Sequence, residues 1–317
     1  MDNVYDVMII GGGPAGLTAG IYSSRARLKT LLVEKALCGG QVLITDKIEN
    51  FPGFPDGVKG PELADWMLKQ ARQFGIEIKT AEAKEIALKD QGKDVFNVVL
   101  DNGDKVRALS IIIATGARWN TLGIPGENEF RGKGVSYCAT CDGPLFRGKD
   151  VVVIGGGNTA LEDALFLTRF ANKVTVVHRK DKLRATKILQ ERAYNNKKIE
   201  FHLNSVASKI VGDKVVREVM IHDVKTDKEN ALKCSGVFVL IGITPNSDIA
   251  KDILKLDEKG HIVSNGEMRT SIEGIFACGD VRKKALRQVV TAAGDGAAAA
   301  FSAEHYIDRI KGTEYPR

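Results

Sequence analysis

Two glycine-rich turns of one design, set a fixed distance apart, constrain this chain more than any other feature. Asp6-Val7-Met8-Ile9-Ile10 runs into Gly11-Gly12-Gly13-Pro14-Ala15-Gly16, and a helix-like segment leads to a second apolar run, Thr30-Leu31-Leu32-Val33, closed by Glu34. Strand, G-x-G-x-x-G, helix, strand and acid in this order form the βαβ dinucleotide fingerprint. Gly11 permits a tight turn, Gly13 lets the backbone approach a pyrophosphate, and Gly16 allows close helix–strand packing. The pyrophosphate sits on the helix N-terminus, where free N–H groups and the dipole favour an anion. The pattern returns in Asp150-Val151-Val152-Val153-Ile154, Gly155-Gly156-Gly157-Asn158-Thr159-Ala160 and Val174-Thr175-Val176-Val177. Gly155 stands 144 positions after Gly11 (155 − 11), and the same offset separates Asp150 from Asp6 and His178 from Glu34. The chain therefore carries two nucleotide-binding units in register.

The units differ at the end of their second strand. Glu34 can accept hydrogen bonds from a ribose diol, whereas its counterpart is His178, followed by Arg179, Lys180 and, a helical turn on, Arg184. A carboxylate there repels a 2′-phosphate and a basic cluster receives it. The first unit thus reads as FAD- or NAD-like and the second as NADP-like. A merely solvated basic face is the blander reading, and the position at the carboxyl end of a fingerprint strand weighs against it.

Between the two turns lies Cys138-Ala139-Thr140-Cys141-Asp142. A C-x-x-C near βαβ patterns in an intracellular chain reads as a redox pair, because the thiolate is the species that attacks a disulfide. Half of a zinc site is the alternative, but Cys38, Cys234 and Cys278 form no second pair and no His stands at ligand spacing, so no metal is expected. Five cysteines are too few and too scattered for a secreted disulfide framework. Met1-Asp2-Asn3 offers no basic leader, no apolar run is long enough to span a bilayer, and the cytoplasm is the expected compartment. A net charge of +6 spread along the chain does not point to nucleic acid.

A length of 317 residues suits two domains. Ile111 to Ala117, with Thr115-Gly116, and Val237 to Pro245 each read as a buried strand ending in a glycine turn that returns the chain to its own sheet. Loops rich in turn residues, Gly39-Gly40-Gln41 and Glu49-Asn50-Phe51-Pro52-Gly53, follow the first fingerprint. Gly274 to Val281, containing Gly279-Asp280, reads as strand then turn, ahead of Arg287-Gln288 and an alanine-rich helix to about Arg309. A helix N-terminus aimed at a flavin would stabilise the negative charge that reduction creates. The expectation is an α/β protein of two Rossmann-like three-layer nucleotide-binding domains. The FAD domain is discontinuous, 1–117 and 248–317, and the NADPH domain, 118–247, is inserted into it and carries the C-x-x-C.

The motifs GGGPAG, GGQ…ENFPG, ATGA, CATCDG, GGGNTA, HR-x4-R and the Gly-Ile-Phe-Ala-x-Gly-Asp turn with its following Arg-Gln run in order from residue 9 to about 300. In this order the chain resembles the low-molecular-weight, bacterial-type thioredoxin reductases, and the cysteine pair just ahead of the second fingerprint is the sharpest point of likeness. The resemblance implies FAD held by Gly11, Gly13, Pro14, Ala15, Gly16, Glu34, Gly40, Gln41, Asn50, Thr115, Gly116, Gly279, Asp280, Arg287 and Gln288. It implies NADPH held by Gly155, Gly157, Asn158, Thr159, His178, Arg179, Lys180 and Arg184. It further implies that Cys141 faces the flavin, Cys138 attacks the disulfide of thioredoxin, and Asp142 protonates a departing thiolate. The partner is then thioredoxin, and the assembly a homodimer. A ferredoxin- or reduced-flavin-fed relative, or a reductase of a glutaredoxin- or peroxiredoxin-type partner, is the alternative within the same chemistry.

Two positions depart from that pattern. Lys180 stands where the family commonly has a second arginine, keeping the charge without the planar fork. Cys278 replaces a small apolar residue and reads as packing, as do Cys38 and Cys234. The order of the chain also sets a conflict, since the nicotinamide and the disulfide share the inserted domain and both must reach one flavin. The family resolves it by swinging that domain.

The basic cluster yields a first test. A charge-assisted contact contributes about 1.5–3 kcal/mol, so Arg179→Ala should raise the KM for NADPH roughly tenfold or more. Steady-state kinetics should show NADH nearly unaffected, and equal losses with both cofactors would refute a phosphate-binding role.

Overall fold

The computed structural model describes residues 4–45, 47–88 and 95–313. Met1–Asn3, read above as leaderless, lie outside the described residues. The chain divides into two compact units, Met1–Arg118 with Thr244–Arg317, and Trp119–Ile243.

In the first unit the apolar runs pair as a parallel sheet. Its order is Glu77–Thr80, Thr30–Glu34, Val4–Ile10 and Lys105–Ile113, with Ile275–Ala277 joining the far side of Lys105–Ile113. The strands Phe96–Leu100 and Ala83–Ala87 extend the sheet antiparallel. Because successive side chains point to opposite faces, the first strand sends Val7 and Ile9 to one core and Met8 and Ile10 to the other. Onto the Val7–Ile9 face pack the helices Pro14–Arg25, Gly60–Gln73 and Val289–Lys311. The last is capped at both ends. Gln288 and Thr291 close a capping box, and Gly312 takes the left-handed conformation at φ 68°.

The second unit repeats the design. Five parallel strands run in the order Val135–Ser136, Gly236–Val239, Asp150–Ile154, Lys173–His178 and Ile199–Leu203. Val151 and Val153 face a core shared with the helix Asn158–Leu167, while Val152 and Ile154 face the antiparallel sheet Ser205–Gly212, Val216–Asp223 and Lys228–Lys233. Three layers result, helices over a parallel sheet over an antiparallel one. Among the described residues no helix is long and apolar enough to cross a membrane.

The units part at 118/119 and 243/244, whereas the sequence reading set the crossings at 117/118 and 247/248. The second crossing moves because Asn246 is tied to the first unit. Its N–H donates to the Gly116 carbonyl (2.9 Å), its amide donates to the Thr115 carbonyl (2.9 Å), and its carbonyl accepts from Thr115 Oγ1 (2.6 Å).

The fingerprint glycines separate packing from binding. A Cβ on Gly16 would stand 1.8 Å from the Gly11 carbonyl oxygen, whereas a Cβ on Gly157 would meet nothing within 4 Å. Gly16→Ala should therefore lower stability by about 3 kcal/mol or more, since overpacking against backbone has nowhere to relax. Gly157→Ala should melt near the parent temperature while losing nucleotide affinity. Thermal melts paired with nucleotide titrations check both, and a stable Gly16→Ala protein would contradict the packing account.

Candidate active site

Parallel strands end together, and each glycine turn occupies the carboxyl edge of its sheet at the point where strand order reverses. In the first unit Gly11 sits at φ 108°, and a Cβ there would fall 2.4 Å from the Ala114 carbonyl oxygen. Gly13 is open, Pro14 opens the helix, and Ala15 and Gly16 are buried in its first turn. Three further motifs converge on this turn. Glu34 accepts the Gly12 N–H (2.7 Å) and the Ala36 N–H (3.1 Å), the Gly39 N–H donates to the Gly12 carbonyl (2.7 Å), and a Cβ on Gly279 would lie 2.9 Å from that of Ala15. A Cβ on Gly40 would lie 3.2 Å from the Gly13 Cα.

Asn50 and Gln288, far apart in the chain, meet through an Asn50 Nδ2 to Gln288 Oε1 bond of 2.9 Å. Gln41 donates from Nε2 to the Ala117 carbonyl, bringing the Gly-Gly-Gln loop to the end of the strand that carries Thr115 and Gly116. Asp280 is half-buried, its enclosed Oδ1 has no partner among the described residues, and burial pushes its carboxyl up against the opposing charges of Lys284 and Arg287. Arg287 turns onto its own loop, donating to the Lys284 carbonyl (3.2 Å), and its Nε is buried without a partner among the described residues. An open Gly13 and an orphaned buried carboxylate oxygen suit a dinucleotide that brings hydroxyls to the site.

In the inserted unit Gly155 takes φ 153°, and a Cβ there would again fall 2.4 Å from a carbonyl oxygen, that of Leu240. This turn is more extended than the first, and Ala160 stands in the place of the third glycine. Asn158 opens the helix and its Oδ1 accepts the Thr186 N–H (2.8 Å), while the Arg184 N–H donates to the Gly156 carbonyl (2.7 Å). The loop carrying the basic residues is thereby fastened to the turn. Thr159, Arg179, Lys180 and Arg184 are exposed around it.

His178 behaves differently from its basic neighbours. It is 5% exposed, its ring fills the space where a Gly156 Cβ would lie 2.3 Å from Nδ1, and its Nε2 has no partner among the described residues. Burial, helped by Arg184, Arg179 and Lys180, pushes its pKa down. Arg179, Lys180 and Arg184 thus present their charge at the surface of this loop, while the His178 ring is enclosed behind them.

The cysteine pair grows from the same edge. Ser136 and Val153 both pair with Phe238, so the strand Val135–Ser136 ends level with the glycine turn, two strands away and on the order of 10 Å. Cys138 and Cys141 form a disulfide with Cα atoms 5.3 Å apart, which removes the free thiolates a zinc site needs. Cys138 is the N-cap of the short helix Ala139–Asp142, its Sγ accepts the Cys141 N–H (3.2 Å), and Cys141 is the more exposed of the two. Ser136 joins both ends of the loop, accepting the Cys138 N–H (3.1 Å) and donating to Asp142 Oδ2 (2.6 Å). Burial pushes the Asp142 carboxyl up, and the Ser136 bond opposes it.

Two residues here escaped the sequence reading. Ser136 carried no motif beyond standing two places before a cysteine. Asp163 takes the Ala139 N–H and is pushed up to about 6 by burial. Its signal was a charge on the stripe that also holds Ala160, Ala164 and Leu167.

Two dinucleotide turns and an accessible disulfide on the edge of one of them define a nucleotide-dependent disulfide oxidoreductase. The profile of the pyridine nucleotide-disulphide oxidoreductases matches residues 5–296. The thioredoxin reductase of Bacillus subtilis is 46% identical over 313 residues, covering 98% of each chain. That of Treponema pallidum is 47% identical over 311 residues, covering 98% of this chain and all of the relative. The crystal structure of the thioredoxin reductase from Streptococcus pyogenes aligns with a TM-score of 0.93 at 44% identity, covering 98% of this chain and 100% of that one. The chain belongs to the pyridine nucleotide-disulphide oxidoreductase family, among its thioredoxin reductases.

The Ser136–Asp142 bond gives a test. Ser136→Ala removes a donor that favours the carboxylate, so the Asp142 pKa should rise further. The Asp142 inflection in the pH profile of disulfide exchange should move to higher pH in that variant. An unmoved profile would separate Asp142 from the exchange step.

Proposed function

We propose that this protein is an NADPH-dependent thioredoxin-disulfide reductase, with FAD in the first unit and NADPH in the inserted one. The observation that carries the reading is a Cys138–Cys141 disulfide on the same sheet edge as a glycine turn ringed by Arg179, Lys180 and Arg184. Bound FAD supplies a two-electron relay between nicotinamide and disulfide.

The residues divide the remaining work. Gly13 and Gly157 leave room for a pyrophosphate over each first helical turn, where free N–H groups face it. Glu34 offers its carboxylate to a ribose diol, and the three exposed cations hold the 2′-phosphate. Asp280 offers its unpartnered oxygen to a flavin hydroxyl, and Asn50 with Gln288 flanks the start of the long helix.

The Cys141 N–H, aimed at the Cys138 sulfur in the disulfide, would stabilise a thiolate there once the pair is reduced. Cys138 Sγ then bonds to one sulfur of the thioredoxin disulfide as the S–S bond breaks, and the departing sulfur takes a proton held at Asp142. Cys141 Sγ next bonds to Cys138 Sγ, which restores the intramolecular disulfide and releases the second thioredoxin sulfur as a thiolate. Two electrons leave the dithiol and two enter thioredoxin.

A cytoplasmic, homodimeric protein completes the reading. Cys38, Cys234 and Cys278 are free, as a reducing compartment allows, and burial pushes Cys234 up to about 12 and so keeps it inert. Tyr22, Trp66 and Phe74 present exposed aromatic surface on the first unit for a second copy, with mass by light scattering as the check.

Hydride transfer to flavin does not pass through sulfur. The Cys138→Ser protein mixed anaerobically with NADPH should therefore bleach at the parent rate yet fail to reduce thioredoxin. Near-normal thioredoxin turnover in that variant would overturn the assigned role. Persistent yellow colour in the parent protein would instead favour a ferredoxin- or reduced-flavin-fed reductase.

A further inference from the structure

One carboxylate of the inserted unit lies on a largely apolar face and has no part in the chemistry above. The helix Asn158–Leu167 turns Ala160, Leu161, Ala164 and Leu167 inward, and Asp163 shares that stripe, three residues after Ala160 and four before Leu167. Such a carboxylate costs free energy unless it is satisfied. Asp163 is satisfied by the Ala139 N–H, the peptide group joined directly to Cys138.

This bond completes an ordered set around the redox helix. The Cys138 N–H goes to Ser136 Oγ, the Ala139 N–H goes to Asp163, and the Cys141 N–H goes to Cys138 Sγ. These three donors have three different acceptors, and the sulfur receives the one that reaches it from the third helical position.

We propose that Asp163 is a positioning residue of the redox pair: it anchors the first N–H of the redox helix and sets a half-buried negative charge at the peptide group joined to Cys138, which restrains the reactivity of its thiol. The proposal rests on the reading that the pair cycles between disulfide and dithiol. Its sign follows from like charges, since an ionised carboxylate next to a sulfur disfavours the thiolate and raises the thiol pKa.

Burial pushes the Asp163 carboxyl up to about 6, with the Ala139 bond opposing and Glu162 of its own helix adding to the rise. The other elements around this helix bring few charges. The strands Asp150–Ile154 and Lys173–His178 turn Val151, Val153, Val174 and Val176 to it, the helix Lys187–Tyr194 turns Leu189 and Ala193, and the segment Gly143–Phe146 turns Phe146. The redox helix brings Asp142 and the cysteines. The restraint is therefore absent below about pH 6, where Asp163 is protonated, and present above it.

The test reads Cys138 directly. Full-length protein is reduced with dithiothreitol and pulsed with iodoacetamide across a pH series, and fragment masses report alkylation at Cys138. The parent profile should show an inflection near pH 6 below the thiol titration itself. Asp163→Asn keeps an oxygen for the Ala139 N–H and loses the charge, so the inflection should vanish and the rate at neutral pH should rise roughly three- to tenfold.

Asp163→Glu, which keeps the charge, should retain the inflection. A parent profile without an inflection, or an Asp163→Asn profile superimposable on the parent, would overturn the proposal. So would an inflection that survives in Asp163→Asn and disappears in Asp142→Asn. Because dithiothreitol supplies the electrons, failure of NADPH-driven turnover would count against the function above and leave this profile readable.

Discussion

A backbone contact that no side chain can enter organises both halves of this protein. In the first unit the Gly11 N–H donates to the Val33 carbonyl (2.9 Å) and the Ile10 carbonyl accepts from Ala114 N (2.8 Å), so the turn is pinned between its two neighbouring strands. In the inserted unit the Gly155 N–H donates to Val177 (3.0 Å) and the Ile154 carbonyl accepts from Leu240 N (2.8 Å). With the turn held so close, a Cβ would collide with the Ala114 or Leu240 carbonyl, and only glycine in a left-handed conformation fits. The helix that follows then starts at the edge of the sheet with its first N–H groups free, and everything that recognises an anion depends on that placement.

On this shared frame the units diverge by charge and by burial. Glu34 folds back onto the Gly12 N–H, which puts a carboxylate beside the first turn, while His178 packs flat on Gly156 and leaves the neighbouring position to exposed cations. The same frame explains where the redox chemistry sits. A parallel strand of only two residues, Val135–Ser136, delivers Cys138 to the level of the glycine turn, and Ser136, Asp163 and the Cys141 N–H then hold the loop from three sides.

Much of this was legible in the sequence because its causes are local and periodic. The fingerprints, the constant offset and the strand-to-glycine-turn returns each rest on one residue type at a fixed spacing, and all are present as read. Pro245-Asn246-Ser247 looks like a linker in the sequence, whereas hydrogen bonds from Asn246 to Thr115 and Gly116 tie it to the first unit. The burial of His178 against Gly156 depends on a three-dimensional approach that spacing does not encode. Ser136 and Asp163 escaped for the same reason, since each acts through a bond to backbone brought near only by the folded sheet edge.

The central claim is that electrons entering from a nicotinamide nucleotide emerge as thiols at one pair of cysteines. An anaerobic titration of the holoprotein with NADPH, quenched with an alkylating agent and read by fragment masses, tests it most directly. The account predicts that Cys138 and Cys141 become alkylated together in step with NADPH consumed, while Cys234 and Cys278 stay protected by burial. Oxidation of NADPH and bleaching of the flavin without any gain of label at Cys138 and Cys141 would contradict it.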